Sequence, residues 1–158
     1  MTRVYRILRR PYSKKPLDGE GAYRFGGRWS SVGVRLAYAA EHLSLAMIEY
    51  FVHIDAGDAP RDLVVVAADI PDGVSRIAFS EKRLPANWRR TPAPPGLAAI
   101  GDGFVGNGRA ALLIVPSALA PAESNWFINP RFSKIRVRQP KKFRYDARFF
   151  GTLKLRSD

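Results

Sequence analysis

Hydrophobic and polar positions alternate over residues 34–38, where Val34, Leu36 and Tyr38 are separated by Arg35 and Ala37, and this predicts a half-buried strand. The period then changes. From Glu41 to Ile54, Leu43, Ala46, Met47, Tyr50, Phe51 and Ile54 recur at helical spacing, and Leu45, Ile48 and Val52 add a second apolar face beside the first. Such a helix is expected to be buried nearly all round. Val4 to Leu8 predicts a short strand, and Leu63 to Ala68 and Ala110 to Val115 are apolar runs closed by Pro71 and Pro116, which predicts two central strands. Leu97 to Val105 predicts a short helix with Gly106 and Gly108 near its end. Lys134 to Arg138 alternates as a strand with one wet face, to which Phe143–Tyr145 offers a partner. Together the elements predict an α+β fold of mixed β-sheets around a buried central helix.

Composition narrows this picture. With 158 residues, 46% hydrophobic and 25% charged, the chain has the balance of one compact domain spanning 1–158. The Pro-rich piece Thr91–Gly96 is too short to divide it and reads as a surface loop. No apolar run reaches about 18 residues and the first residues lack a signal-peptide core, so the expected location is cytoplasmic, with no membrane contact. The absence of cysteine excludes disulfides, thiol catalysis and Cys-based zinc sites. A net charge of +12 favours an anionic partner: nucleic acid, an acidic protein or a phosphate-bearing small molecule. The basic residues are scattered rather than gathered in one recognition helix, and a solvated basic surface explains them equally well.

Glu49 is the most informative residue, a carboxylate mid-helix with Leu45, Ile48 and Val52 around it, and burying it unpaired is costly. It is either a structural carboxylate satisfied by His53 or a strand arginine, or part of a cleft with a cationic partner. Arg28 follows Gly26-Gly27, where an anion can approach the backbone while the guanidinium forks onto it; a surface arginine beside a packed Trp29 is the alternative. Ser117 ends an apolar strand, as a ligand contact or as the cap of the following turn. A Ser117/His/Glu49 hydrolase lacks a Gly-x-Ser-x-Gly elbow. No metal site is expected, since His42 and His53 lie on one helix with no second carboxylate placed to complete one.

The order and wording of the segments go further. Tyr5-Arg6-Ile7, Leu17-Asp18-Gly19, Gly26-Gly27-Arg28-Trp29, Ala37-Tyr38-Ala39-Ala40-Glu41, Ala46-Met47-Ile48-Glu49, Ile100-Gly101-Asp102, Val115-Pro116-Ser117-Ala118, Glu123-x-Asn125, Ile128-Asn129-Pro130 and Phe143-x-Tyr145-Asp146 run across nearly the whole chain. In these pieces the sequence resembles the RES family, named for its Arg, Glu and Ser, whose members are toxins of bacterial toxin–antitoxin systems. The resemblance implies an ADP-ribosyltransferase-like fold, NAD as substrate and no metal. It also implies an Xre-like helix-turn-helix antitoxin that occludes the active site, contact with DNA only through that antitoxin, and room for a homodimer within the complex. By residue, it implies Arg6 and Arg28 on the pyrophosphate or adjoining ribose, Tyr38 on the nicotinamide side, Glu49 at the nicotinamide ribose and Ser117 anchoring that end. Asn125 is a further NAD-binding candidate whose ordinary role is to bond a turn. The family's His-Pro after Asn-Pro is replaced here by Asn129-Pro130-Arg131-Phe132-Ser133, which leaves the Asn129 loop without an assigned contact.

The implied chemistry suits the residue types: cleavage of an N-glycosidic bond passes through an oxocarbenium-like state that a carboxylate stabilises, and nicotinamide leaves neutral without a strong acid. Arg28, Glu49 and Ser117 are therefore the expected catalytic set of an NAD glycohydrolase or phosphorylase. Two alternatives stand beside it: transfer of ADP-ribose to a protein, set by loops around the same cleft, and a non-catalytic basic module that binds nucleic acid.

Overall fold

The computed structural model describes residues 1–55, 59–132 and 134–151; Ser133 of the Asn129 loop lies outside them. The strands are β1 (Thr2–Arg9), β2 (Ala37–Ala40), β3 (Leu63–Ile70), β4 (Arg76–Ala78), β5 (Leu112–Pro116), β6 (Ser124–Ile128), β7 (Arg136–Val137) and β8 (Lys141–Lys142). The helices are α1 (Glu20–Phe25), α2 (Leu43–Phe51) and α3 (Pro95–Asn107). The expected α+β class is what the chain adopts, although in place of several sheets it builds one mixed sheet in the order β4-β5-β6-β2-β1-β3-β7, with β8 also on β3.

The two apolar runs form inner strands, as expected, each with neighbours on both sides and one step from an edge of the sheet. β5 is flanked by the three-residue β4, and β3 takes β7 and β8 along its outer edge. The centre belongs to β6, β2 and β1. Both runs are nonetheless almost wholly buried because the sheet is covered on each face. One face packs Trp29, Leu36, Trp88, Leu97, Phe104, Leu113 and Phe127 together. The other packs Val4, Ala37, Ile70, Leu112, Trp126 and Ile128.

The join between β1 and β2 positions the site. β1 runs against β3 over eight paired residues but meets β2 at the single pair Tyr5↔Ala40. The sheet therefore opens between these strands, and Arg6 and Tyr38 flank the opening in sequence.

Several local expectations are corrected. The strand expected from Val34 begins only at Ala37; of the 134–138 alternation only β7 forms, Phe143–Tyr145 is not a strand, and β7 and the neighbouring β8 pair with β3 rather than with each other. The expected central helix is shorter, Leu43–Phe51, and is not buried all round: Leu45 and Ala46 are its buried residues, whereas Ile48 and Val52 are 41% and 52% exposed. A helix laid on one face of a sheet needs one face for packing, and α2 spends Leu45 and Ala46 on Ile7, Ala40, Leu63 and Tyr145. α3 extends two residues beyond expectation at each end, from Pro95, a residue suited to a helix start, to Gly108 at φ +58°. Gly101 lets α3 lie directly on the Trp29 carbonyl; a Cβ there would stand 1.7 Å from that oxygen.

Candidate active site

Glu49, Ser117 and Asn125 meet. Ser117 Oγ donates to Glu49 Oε1 at 2.7 Å and Asn125 Nδ2 donates to the same oxygen at 2.6 Å. Among the described residues, Oε2 receives no hydrogen bond. Three elements converge to build this. α2 carries Glu49, β6 carries Asn125 opposite Val115 of β5 and Ala40 of β2, and Ser117 is the first residue beyond β5, its N–H held by Glu123 O at 2.9 Å.

Ser117 is fully buried, and its Oγ also accepts from Leu119 N and Ala120 N at 3.1 Å. Of the two roles the sequence left open, it takes that of cap for the turn after β5, and it also reaches Glu49. Its single hydroxyl hydrogen is committed to the carboxylate, so in this geometry it holds Glu49 rather than presenting a free group to a ligand. His53, one turn on, is exposed and does not bond Glu49. With Ile48 and Val52 exposed, Glu49 is satisfied by polar neighbours and partly open to solvent rather than sealed in an apolar helix face.

Arg6 is the opposite case. It is partly buried overall, yet its Nη1 is enclosed with no hydrogen-bond partner among the described residues. Burial lowers the guanidinium's affinity for its proton, against which the charge of Asp18 and the hydroxyl of Tyr38 act. An enclosed cationic donor lacking an acceptor is a place for an anion. Tyr38 lies edge-on to Phe127 at 4.6 Å and shares a 2.7 Å hydrogen bond with Ser30 Oγ. Burial raises its phenol pKa, so it remains a neutral hydroxyl at physiological pH. Gly27 leaves room for it, since a Cβ there would stand 2.6 Å from that hydroxyl. The close approach expected of the glycine stretch is thus made by Tyr38.

Arg28 is held from one end. Its Nη1 donates to Trp88 O and Arg90 O, both at 2.9 Å, and its Nη2 to Thr91 Oγ1 at 3.2 Å. This leaves Nε–H and one Nη2–H uncommitted by these bonds. Arg28 is neither ion-paired to Glu49 nor a loose surface arginine. Asn129 is fully buried and closes its own turn, Oδ1 accepting from Arg131 N at 3.1 Å, while Nδ2 has no partner among the described residues. It borders a cleft of about 520 Å³ with Tyr23, Arg35 and Arg131; this cleft is lined by none of Arg28, Glu49 or Ser117. Two carboxylates do flank His42, contrary to expectation: Glu123 Oε2 is 3.3 Å and Glu41 Oε1 3.8 Å from Nδ1. Glu41 Oε1 also accepts Ser124 N at 2.6 Å, so the group ties the start of β6 to the end of β2.

Sequence reasoning missed Ser30, the Trp88–Thr91 segment and all of β6 as an element. The run Trp126-Phe127-Ile128 was the one available signal for β6, and nothing in the sequence marked the other two.

The RES domain model matches residues 3–147. The chain belongs to the RES family. This RES domain is 37% identical over 144 residues to the Prs ADP-ribosylating toxin of Sphingobium sp., covering 88% of this chain and 89% of that protein. It is 34% identical over 149 residues to the Toxin Res of Yersinia enterocolitica, covering 92% and 97%. These relatives place it among the RES toxins. In fold it is similar to a chain of the M. tuberculosis MbcT–MbcA toxin–antitoxin complex, with a TM-score of 0.72, 18% identity, and 90% and 84% of the two chains covered.

Proposed function

We propose that this RES domain is the toxin of a toxin–antitoxin pair and that it cleaves the nicotinamide–ribose bond of NAD. The observation that carries the reading is the asymmetric hold on Glu49, with two donors on Oε1 and none among the described residues on Oε2. A carboxylate fixed by one oxygen presents the other to charge developing at the ribose, and a pre-fixed group needs no reorganisation as the bond breaks. The C1′–N pair leaves with nicotinamide, neutralising the pyridinium. C1′ passes through an oxocarbenium-like state stabilised by Glu49 Oε2, and an oxygen nucleophile adds to C1′ and releases its proton to solvent. Arg6, with an enclosed donor lacking an acceptor, and Arg28, with one edge free, would hold the pyrophosphate or adjoining ribose. Tyr38 offers a neutral flat face for the ring, while Ser117 and Asn125 act through Glu49.

A helix-turn-helix antitoxin of the Xre type is the proposed partner, covering the cleft and bringing DNA to the complex only through itself. The exposed Ile48 on α2 and Val52 just beyond its end, both near Glu49 in the chain, give it an apolar footing, and the +12 charge favours an acidic surface.

Transfer of ADP-ribose to a protein is the second reading, favoured by the name of the Sphingobium relative. Purified protein, freed of antitoxin and incubated with NAD, is expected to release nicotinamide. Running the reaction with water alone, with phosphate and with cell extract carrying labelled NAD identifies the acceptor; label on protein supports the second reading. No release under any condition would contradict both.

A further inference from the structure

Arg28 and Glu49 are held from different parts of the fold, yet one tetrapeptide touches both holds. Trp88 is buried among Trp29, Leu84 and Phe104 and anchors the segment in the core. Its carbonyl, that of Arg90 and the Thr91 hydroxyl take three hydrogen bonds from the Arg28 guanidinium. Between them, Arg89 turns the other way, and its Nε donates to Ala118 O at 3.0 Å. Ala118 follows Ser117, whose hydroxyl holds Glu49 at 2.7 Å. A continuous chain of short links thus runs from Arg28 through the segment and the turn after β5 to the carboxylate.

We infer that Trp88–Thr91 is a strap that sets the position of Arg28 relative to Glu49, and that Arg89 is a positioning residue acting through its hydrogen bond to Ala118. The strap uses Arg28 donors on one edge and leaves Nε–H and one Nη2–H for a ligand. It thereby fixes which edge of the guanidinium faces the substrate, and displacement of about 1 Å in such a pair costs rate steeply. Arg89 is exposed, and what the strap uses of it is one N–H of the cationic guanidinium given to a neutral backbone carbonyl, so donor position and charge are separable by substitution. This rests on the proposed NAD reading for its consequence but not for its geometry.

Arg89→Gln and Arg89→Leu separate the roles. The glutamine amide nitrogen occupies the same place along the side chain as arginine Nε, so Gln keeps the donor and loses the charge; Leu loses both. Nicotinamide release is expected within about twofold of wild type for Arg89→Gln, and about five- to tenfold lower in kcat/KM for Arg89→Leu, with melting temperatures within about 2 °C of wild type. Equal defects in both variants would show that charge, not position, matters, and equal wild-type behaviour would show that no strap operates; either overturns the inference. Amide exchange at Leu119 and Ala120, whose N–H groups bond Ser117 Oγ, gives a readout independent of NAD. It should quicken in Arg89→Leu and not in Arg89→Gln. Should the wild type release no nicotinamide, the proposed function fails, while the exchange comparison alone upholds or overturns the strap.

Discussion

Ser117→Ala removes one oxygen and three hydrogen bonds. The Oγ bond to the Glu49 carboxylate, 2.7 Å long, is charge-assisted, and losing such a bond costs about 1.5–3 kcal/mol. The two 3.1 Å bonds from Leu119 N and Ala120 N add less, because Leu119 is 41% exposed and water can reach that turn. A net loss of about 2–3 kcal/mol corresponds to a fall in melting temperature of roughly 4–12 °C for a domain of this size. Glu49 keeps Asn125 on Oε1, so the carboxylate is loosened rather than released. Turnover should then drop roughly 10- to 100-fold and leave measurable activity, as a positioning loss of about 1.5–3 kcal/mol implies. Calorimetry and nicotinamide release on the same preparation check both figures. An unchanged melting temperature would mean the three bonds contribute nothing. Activity abolished at an unchanged melting temperature would mean that Ser117 touches the reacting atoms itself.

Replacing Arg6 by Met, of similar shape and uncharged, should raise the melting temperature by a few degrees, about 1 kcal/mol, because a guanidinium with an enclosed, unpartnered Nη1 is removed, and should abolish stabilisation by NAD. A lower melting temperature would show that Arg6 is already satisfied without ligand. Gly101→Ala should give little folded protein in circular dichroism, since its Cβ would stand 1.7 Å from the Trp29 carbonyl. Asp69 is hydrogen-bonded by Arg3 Nε at 2.7 Å and Arg138 Nε at 2.6 Å, Arg3 first among the causes that hold its carboxyl below the ordinary range. A depressed carboxyl stabilises fully above its unfolded pKa, about 4, and loses that contribution as pH falls through the lower folded value. Asp69→Asn should therefore flatten the acid limb of a melting-temperature profile below about pH 4 and lower the plateau above it.

How much of this was legible in the sequence follows from what each residue depends on. β3 and β5 were readable because apolar runs closed by proline carry their own signal, and α2 because its helical period is strong. The error at α2 came from equating apolar with buried: Ile48 and Val52 fit the helical pattern but face outward, a fact set by what packs elsewhere on the sheet. Strand order, with β2 and β6 at the centre and the opening beside β1, depends on long-range pairing that no local period encodes. Glu49, Ser117 and Asn125 were each ambiguous alone, joined only by resemblance to the family; their convergence on one carboxylate oxygen is a tertiary fact. Arg28's bonds go to two backbone carbonyls and a threonine some sixty residues away, and carbonyls leave no mark in a sequence.

We propose that the Glu49 carboxylate, held through Oε1 and without a hydrogen bond on Oε2 among the described residues, does the chemistry. Glu49→Gln preserves the shape and removes the charge. Titration calorimetry with NAD, paired with nicotinamide release, should show affinity within a few-fold of wild type and a kcat lower by roughly a thousandfold, at a similar melting temperature. Turnover that survives undiminished in well-folded Glu49→Gln protein would contradict that role for the carboxylate.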